Sequence, residues 1–290
     1  MLTGSMVALV TPFRKGRVDE KALRGLIEFQ IQGGTSAIVP CGTTGESATL
    51  SHSEHNRVIE LTVKAVRGRV PVIAGTGSNS TAEAIALTRH AKKVRADGAL
   101  LICPYYNRPT QEGLYRHFKA IAKAVDLPLV LYNIPSRTGV NLLPTTAARL
   151  LEFPTIVAMK ESSGSLQQIS ELIGLCGDRL TVISGDDALT LPIIALGGQG
   201  VISVAANLVP KDCAELVKAA LKGDGERARR LHYRLSPLTD ALFLETNPIP
   251  VKAALELMGR CSGEVRLPLC PMADANHERL KKAMKEYGLI

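Results

Sequence analysis

Short apolar runs alternate with longer amphipathic segments along most of the chain, and this alternation restricts the fold more than any other feature. The runs cover residues 6–10, 37–40, 70–74, 99–103, 127–132, 156–160, 180–184 and 200–204. They are apolar throughout, as parallel strands covered on both faces are. Between them, residues 19–32 place Leu23, Leu26, Ile27 and Ile31 on one helical face and stop at Gly33 and Gly34. Ser51 and Glu54 have the spacing of a capping box for the next helix. Helical patterns continue over 81–95, 111–125, 144–151, 166–176, 187–196 and 210–222. Eight β-then-α units are the count that closes a (β/α)8 TIM barrel, with an open doubly wound sheet as the alternative. Past residue 224 the strands stop, and 226–244, 250–258 and 276–287 read as helices. The expected α/β architecture is therefore a barrel over 1–224 and a C-terminal helical extension over 225–290. No linker rich in Gly, Pro or Ser divides them, so one compact unit is expected.

Composition removes several classes of function. Trp is absent and aromatic residues make up 4%, which argues against stacking platforms for nucleic acid. The formal net charge of +8 comes from Lys and Arg spread along the chain, which suits small anionic substrates better than a nucleic-acid face. Arg227, Arg229 and Arg230 sit beside Glu226 in a helical stretch and read as a solvated face. The six cysteines form no Cys-x-x-Cys pair and read as reduced residues of a cytoplasmic protein. No apolar run nears the roughly 20 residues that span a bilayer, and the N-terminal run breaks at Thr11 and Pro12, unlike a signal peptide.

In a barrel of this type, reactive groups sit at the C-terminal ends of strands. Lys160 and Tyr132 end two of the runs, Thr43 and Thr44 follow the second, Tyr105 and Tyr106 follow the fourth, and Arg137 follows the fifth. Attack on a carbonyl requires a neutral amine, which a water-poor setting favours, and an apolar strand presenting a lone lysine offers that setting. Strand alternation turns the adjacent Glu161 to the opposite face. Read alone, Lys160 also fits a strand-end lysine with its head in water, Tyr132 a core aromatic, and Arg137 a solvated side chain. The Gly42–Glu46 loop could hold a carboxylate on its N–H groups or be a plain turn. Gly75 to Ser80 lacks the third glycine of a dinucleotide loop, and His52 with His55 lacks a third metal ligand. No cofactor and no metal are expected.

Three segments then converge: Gly42-Thr43-Thr44-Gly45-Glu46, Tyr132-Asn133-Ile134-Pro135-Ser136-Arg137-Thr138-Gly139, and Lys160-Glu161. Together with Thr11-Pro12-Phe13 and Asn247 to Lys252, they resemble the dihydrodipicolinate synthase family, end to end. This family lies within the pyruvate-dependent class I aldolases that include N-acetylneuraminate lyase. Arg137-Thr138-Gly139 is the part specific to the synthases. The resemblance implies that Lys160 forms a Schiff base with pyruvate, and that the enamine condenses with L-aspartate-4-semialdehyde to give 4-hydroxy-tetrahydrodipicolinate. The alternative is a pyruvate-dependent lyase for another 2-keto acid such as N-acetylneuraminate. By the same resemblance Thr44, Tyr132 and Tyr106 form a proton relay, Tyr106 coming from a neighbouring chain. Thr43 and Thr44 hold the pyruvate carboxylate, Arg137 holds that of the semialdehyde, and Gly185 and Ile202 line the lysine pocket. It further implies a homotetramer built as a dimer of dimers. Ser47, Ala48, Leu50, His52, His55, Asn79, Glu83 and Tyr105 match an L-lysine effector site, although Ser51 and Glu54 could simply cap a helix whose first turn carries the histidines. Ser162 stands where many members carry Ala.

Overall fold

Every apolar run forms a strand in the structure, a computed structural model that describes residues 2–290. The strands are β1 Gly4–Ala8, β2 Ala37–Val39, β3 Ile73–Gly75, β4 Gly98–Ile102, β5 Leu129–Asn133, β6 Ile156–Glu161, β7 Thr181–Ser184 and β8 Gly200–Ser203. They pair in parallel in the order β2-β1-β8-β7-β6-β5-β4-β3. A parallel bridge between Ile38 and Val72 joins the two ends, so the sheet closes on itself. At this seam the Gly75 N–H donates to Pro40 O at 2.9 Å. A Cβ on Gly75 would stand 2.1 Å from Cys41 O, so close approach of the two backbones requires glycine here.

Alternation along each strand divides the core in two. Met6, Ala8, Val39, Ile73, Leu100, Val130, Tyr132, Ala158, Ile183 and Ile202 point inward and fill the barrel. Their neighbours Val7, Ile38, Ala74, Leu101, Leu131, Met159 and Val182 point outward against the helices. Burying each large aliphatic side chain contributes about 1.5–3 kcal/mol, which explains why the runs are apolar on both faces.

The surrounding helices are α1 Glu20–Gln32, α2 His52–Val66, α3 Thr81–Lys93, α4 Gln111–Ala124, α5 Pro144–Leu150, α6 Leu166–Cys176, α7 Thr190–Ala195 and α8 Pro210–Leu221. Side chains of Asp19, Ser51, Ser80, Thr110 and Ser165 cap five of them, and Ser51 with Glu54 makes the expected capping box. One helix starts about a turn later than its pattern. Residues 187–189 form a 3-10 turn ahead of α7 because the Asp187 carboxylate turns inward. There it accepts the N–H groups of Val204 and Ala205 at 2.8 and 3.1 Å, and the Ser203 hydroxyl. Burial raises the pKa of Asp187, and these hydrogen bonds offset part of the rise.

Beyond the barrel lie α9 Gly225–Ala241, α10 Ile249–Leu257 and α11 Asp274–Tyr287. α9 packs on α8 and α11, and α11 also packs on α10. The segment 246–269 returns to the open end of the barrel, where Lys252 pairs with Glu46 and Arg266 with Glu54.

Candidate active site

Lys160 lies on β6 between outward-facing Met159 and outward-facing Glu161, so its side chain enters the barrel. It is 6% exposed. Its Nζ lies 4.1 Å from the ring centroid of Tyr132, its register partner on β5. Among the described residues, no carboxylate pairs with this nitrogen. Glu161 is instead occupied on the far face, where Ser163 N donates to it at 2.6 Å and Asn133 Nδ2 at 3.1 Å. Burial raises the pKa of Glu161, with those hydrogen bonds pulling against it.

Gly185 follows β7 and shapes the space around the lysine. A Cβ there would stand 2.7 Å from Lys160 Cε and 1.9 Å from Ser162 Oγ. Ile202, on β8, is buried in the same inner core.

After β2 the chain makes a tight turn, with Gly45 N donating to Gly42 O at 3.1 Å and Glu46 N to Thr43 O at 3.0 Å. Among the described residues, nothing accepts the N–H of Thr43 or Thr44, which leaves both donors for a carboxylate. Glu46 adopts left-handed backbone, φ 53°, and sends its carboxylate down to Lys252 Nζ at 2.6 Å. Arg266 N donates to the other oxygen at 3.1 Å, and Lys252 Nζ also donates to Thr11 O at 3.0 Å. Glu46 and Lys252 are 3% and 0% exposed. Burial draws the Lys252 pKa down, and Glu46 draws it back up. This pair anchors the turn that carries Thr43 and Thr44.

Asn247 connects the site to the C-terminal helices. Its Nδ2 donates to Thr44 Oγ1 at 2.9 Å, and its carbonyl accepts from Arg137 Nη2 at 3.0 Å. Arg137 sits in the helical turn Pro135–Thr138 after β5 and is exposed, and among the described residues its remaining guanidinium donors are free for a planar carboxylate.

One cavity of about 400 Å³ takes in Thr43, Tyr132, Arg137 and Asn247 together with Ser47, Ala48, Leu50, His52, His55, Glu83 and Tyr105. Lys160 and Thr44 adjoin it through Tyr132 and Asn247. Glu83 holds His52 Nε2 at 2.6 Å and accepts from Ser78, and these contacts lower its pKa, Ser78 first. Burial pushes the His55 imidazole down to about 4. Asn79 is not on the cavity wall; its carbonyl accepts from Asn107 Nδ2 at 2.9 Å. Tyr106 is also apart from the Lys160 site within this chain. It is 90% exposed and held at φ 70°, a left-handed conformation uncommon outside glycine.

Nothing in the local sequence pattern marks a role for Lys252, Arg266 or Asn247. Asn247 lies 203 positions from the Thr44 hydroxyl it contacts, and no local period reports such a contact.

Residues 1–287 match the model of the dihydrodipicolinate synthetase family. The chain is 63% identical, over 100% of both chains, to the 4-hydroxy-tetrahydrodipicolinate synthase of Citrifermentans bemidjiense. It superposes on the crystal structure of dihydrodipicolinate synthase from Aquifex aeolicus with a TM-score of 0.98, 54% identity and 99% of each chain covered. The enzyme from Cyanidioschyzon merolae with lysine bound gives a TM-score of 0.97 at 44% identity, again over 99% of each chain.

Proposed function

The chain belongs to the dihydrodipicolinate synthetase family, and from that membership and the barrel-mouth geometry we infer how it works. It is a Schiff-base-forming lyase that condenses pyruvate with L-aspartate-4-semialdehyde to 4-hydroxy-tetrahydrodipicolinate, in lysine and diaminopimelate biosynthesis. A lyase for another 2-keto acid is not favoured, since relatives 60–63% identical over the whole chain carry the synthase name.

One observation carries the residue assignments. Lys160 is buried, faces the Tyr132 ring and has no carboxylate partner among the described residues. Its neutral amine attacks the C2 carbonyl of pyruvate, and loss of water leaves a protonated imine. That imine is the electron sink, so release of a methyl proton yields an enamine without a metal or added cofactor. The enamine carbon bonds to the aldehyde carbon, and the amine of the adduct then attacks C2 to cyclise and free Lys160. Thr44, Tyr132 and Tyr106 of the partner subunit move the protons. Thr43 and Thr44 offer their N–H groups to the pyruvate carboxylate, Arg137 grips that of the semialdehyde, and Gly185 and Ile202 leave room for the lysine chain.

Four wider assignments belong to the same reading. The exposed, strained Tyr106 supports a tetramer of paired dimers in which it completes a neighbour's site. The cavity running from Tyr132 to His52 and Glu83 supports L-lysine as an effector, and millimolar L-lysine that leaves the rate unchanged would end that assignment. Residues 225–290 extend the barrel as part of one unit, an assignment supported by the Lys252 and Asn247 contacts. A biosynthetic enzyme of this class works in the cytoplasm, in keeping with the lack, among the described residues, of a helix long and apolar enough to cross a membrane.

The decisive experiment is borohydride reduction in the presence of pyruvate, followed by mass spectrometry. A pyruvyl adduct on Lys160 is expected. An unmodified Lys160 in protein that still turns over would overturn the assignment.

A further inference from the structure

We propose that Asn247 is a positioning residue that aims the Thr44 hydroxyl proton along the relay. The proposal rests on the reading of Thr44 as a relay member. A hydroxyl carries one proton and two acceptor sites, whereas the amide nitrogen of asparagine only donates. With Asn247 Nδ2 occupying an acceptor site of Thr44 Oγ1 at 2.9 Å, the Thr44 proton points away from Asn247 and is free to be passed on. Asn247 is 7% exposed, so bulk water does not compete for this contact. Among the described residues, its Oδ1 has no protein partner.

The same residue grips Arg137, but through its backbone carbonyl. Changing the side chain therefore alters the Thr44 contact and leaves the Arg137 contact in place. This separates proton transfer from binding of the second substrate.

The readout is exchange of the pyruvate methyl protons with D2O, followed by NMR without semialdehyde, with borohydride trapping confirming that Lys160 still forms its adduct. Asn247→Ala removes the donor and leaves the hydroxyl free to rotate. Asn247→Asp, isosteric but able only to accept when ionised, draws the Thr44 proton out of the relay. The expected order of exchange rates is wild type, then Asn247→Ala, then Asn247→Asp, the last slowed on the order of 10²-fold. The KM for semialdehyde should change little in either. A residue that only packs would give the opposite order, with the isosteric variant the faster. Exchange in Asn247→Asp at the wild-type rate, or above that of Asn247→Ala, overturns the proposal. Thr44→Val gives a second test that needs no aspartate variant. Adding Asn247→Ala to it should cost nothing further, and an additional loss overturns the proposal. Wild-type protein that neither traps nor exchanges overturns the functional reading itself, and this proposal with it.

Discussion

Tyr132 and Lys160 are register partners across β5 and β6, and the Lys160 Nζ lies 4.1 Å from the centre of the Tyr132 ring. Parallel pairing at equal height puts the two side chains side by side on the inner face of the barrel. The ring shields the amine from water, and the phenol stands close to the nitrogen proposed to react.

Gly185 decides how well that amine is placed. In Gly185→Ala the new methyl meets Lys160 Cε and Ser162 Oγ. Displacing the lysine by about 1 Å should lower kcat roughly 10²-fold while the fold persists. Adding Ser162→Ala removes the closer clash and should recover part of the rate. Steady-state kinetics and circular dichroism on both variants check this.

In the proposed reading, Arg137 contacts only the second substrate. Arg137→Leu should lower kcat/KM for the semialdehyde by roughly 10- to 100-fold, the loss expected for a charge-assisted hydrogen-bond pair. Borohydride trapping with pyruvate should be unchanged. Loss of trapping would contradict the assignment.

Tyr106 should act in trans. Lys160→Ala and Tyr106→Phe are each expected to be inactive alone. Unfolded and refolded together in equal amounts, they form mixed dimers with one complete site, and roughly a quarter of wild-type activity should return. No recovery, with mixed dimers shown by mass, would mean that Tyr106 serves its own chain.

The buried pair of Glu46 and Lys252 sets a stability prediction. Lys252→Met leaves the Glu46 carboxylate without its partner ammonium and should cost about 3–5 kcal/mol by urea unfolding. The double variant Glu46→Gln with Lys252→Met should lose less than the sum of the two single changes.

Burial holds His55 and His117 down at about 4, below the ordinary 6.5. Between these values the unfolded chain binds protons that the native chain does not. The stability these histidines contribute is therefore present above 6.5 and lost as pH falls toward 4, at most about 3 kcal/mol for each. The drop in urea midpoint from about pH 7 to about pH 5 should be smaller in His55→Gln/His117→Gln than in wild type. An equal drop would refute the histidine origin.

The strands were legible because a residue buried on both faces must be apolar wherever the chain runs, and that demand is local. Lys160 stood out for the same reason, as the one charge closing an otherwise apolar run, and alternation alone turned Glu161 away from it. The capping box of Ser51 and Glu54 was equally local and equally readable. Even the helix pattern failed where a distant contact intervened, at Asp187, whose carboxylate is drawn in by β8.

Tertiary structure alone decided what stands around the lysine. Thr44 meets Asn247, Glu46 meets Lys252 and Glu54 meets Arg266 across more than two hundred residues. Barrel closure brings these partners together, and periodicity along the chain carries no trace of a contact made only after the ring has shut.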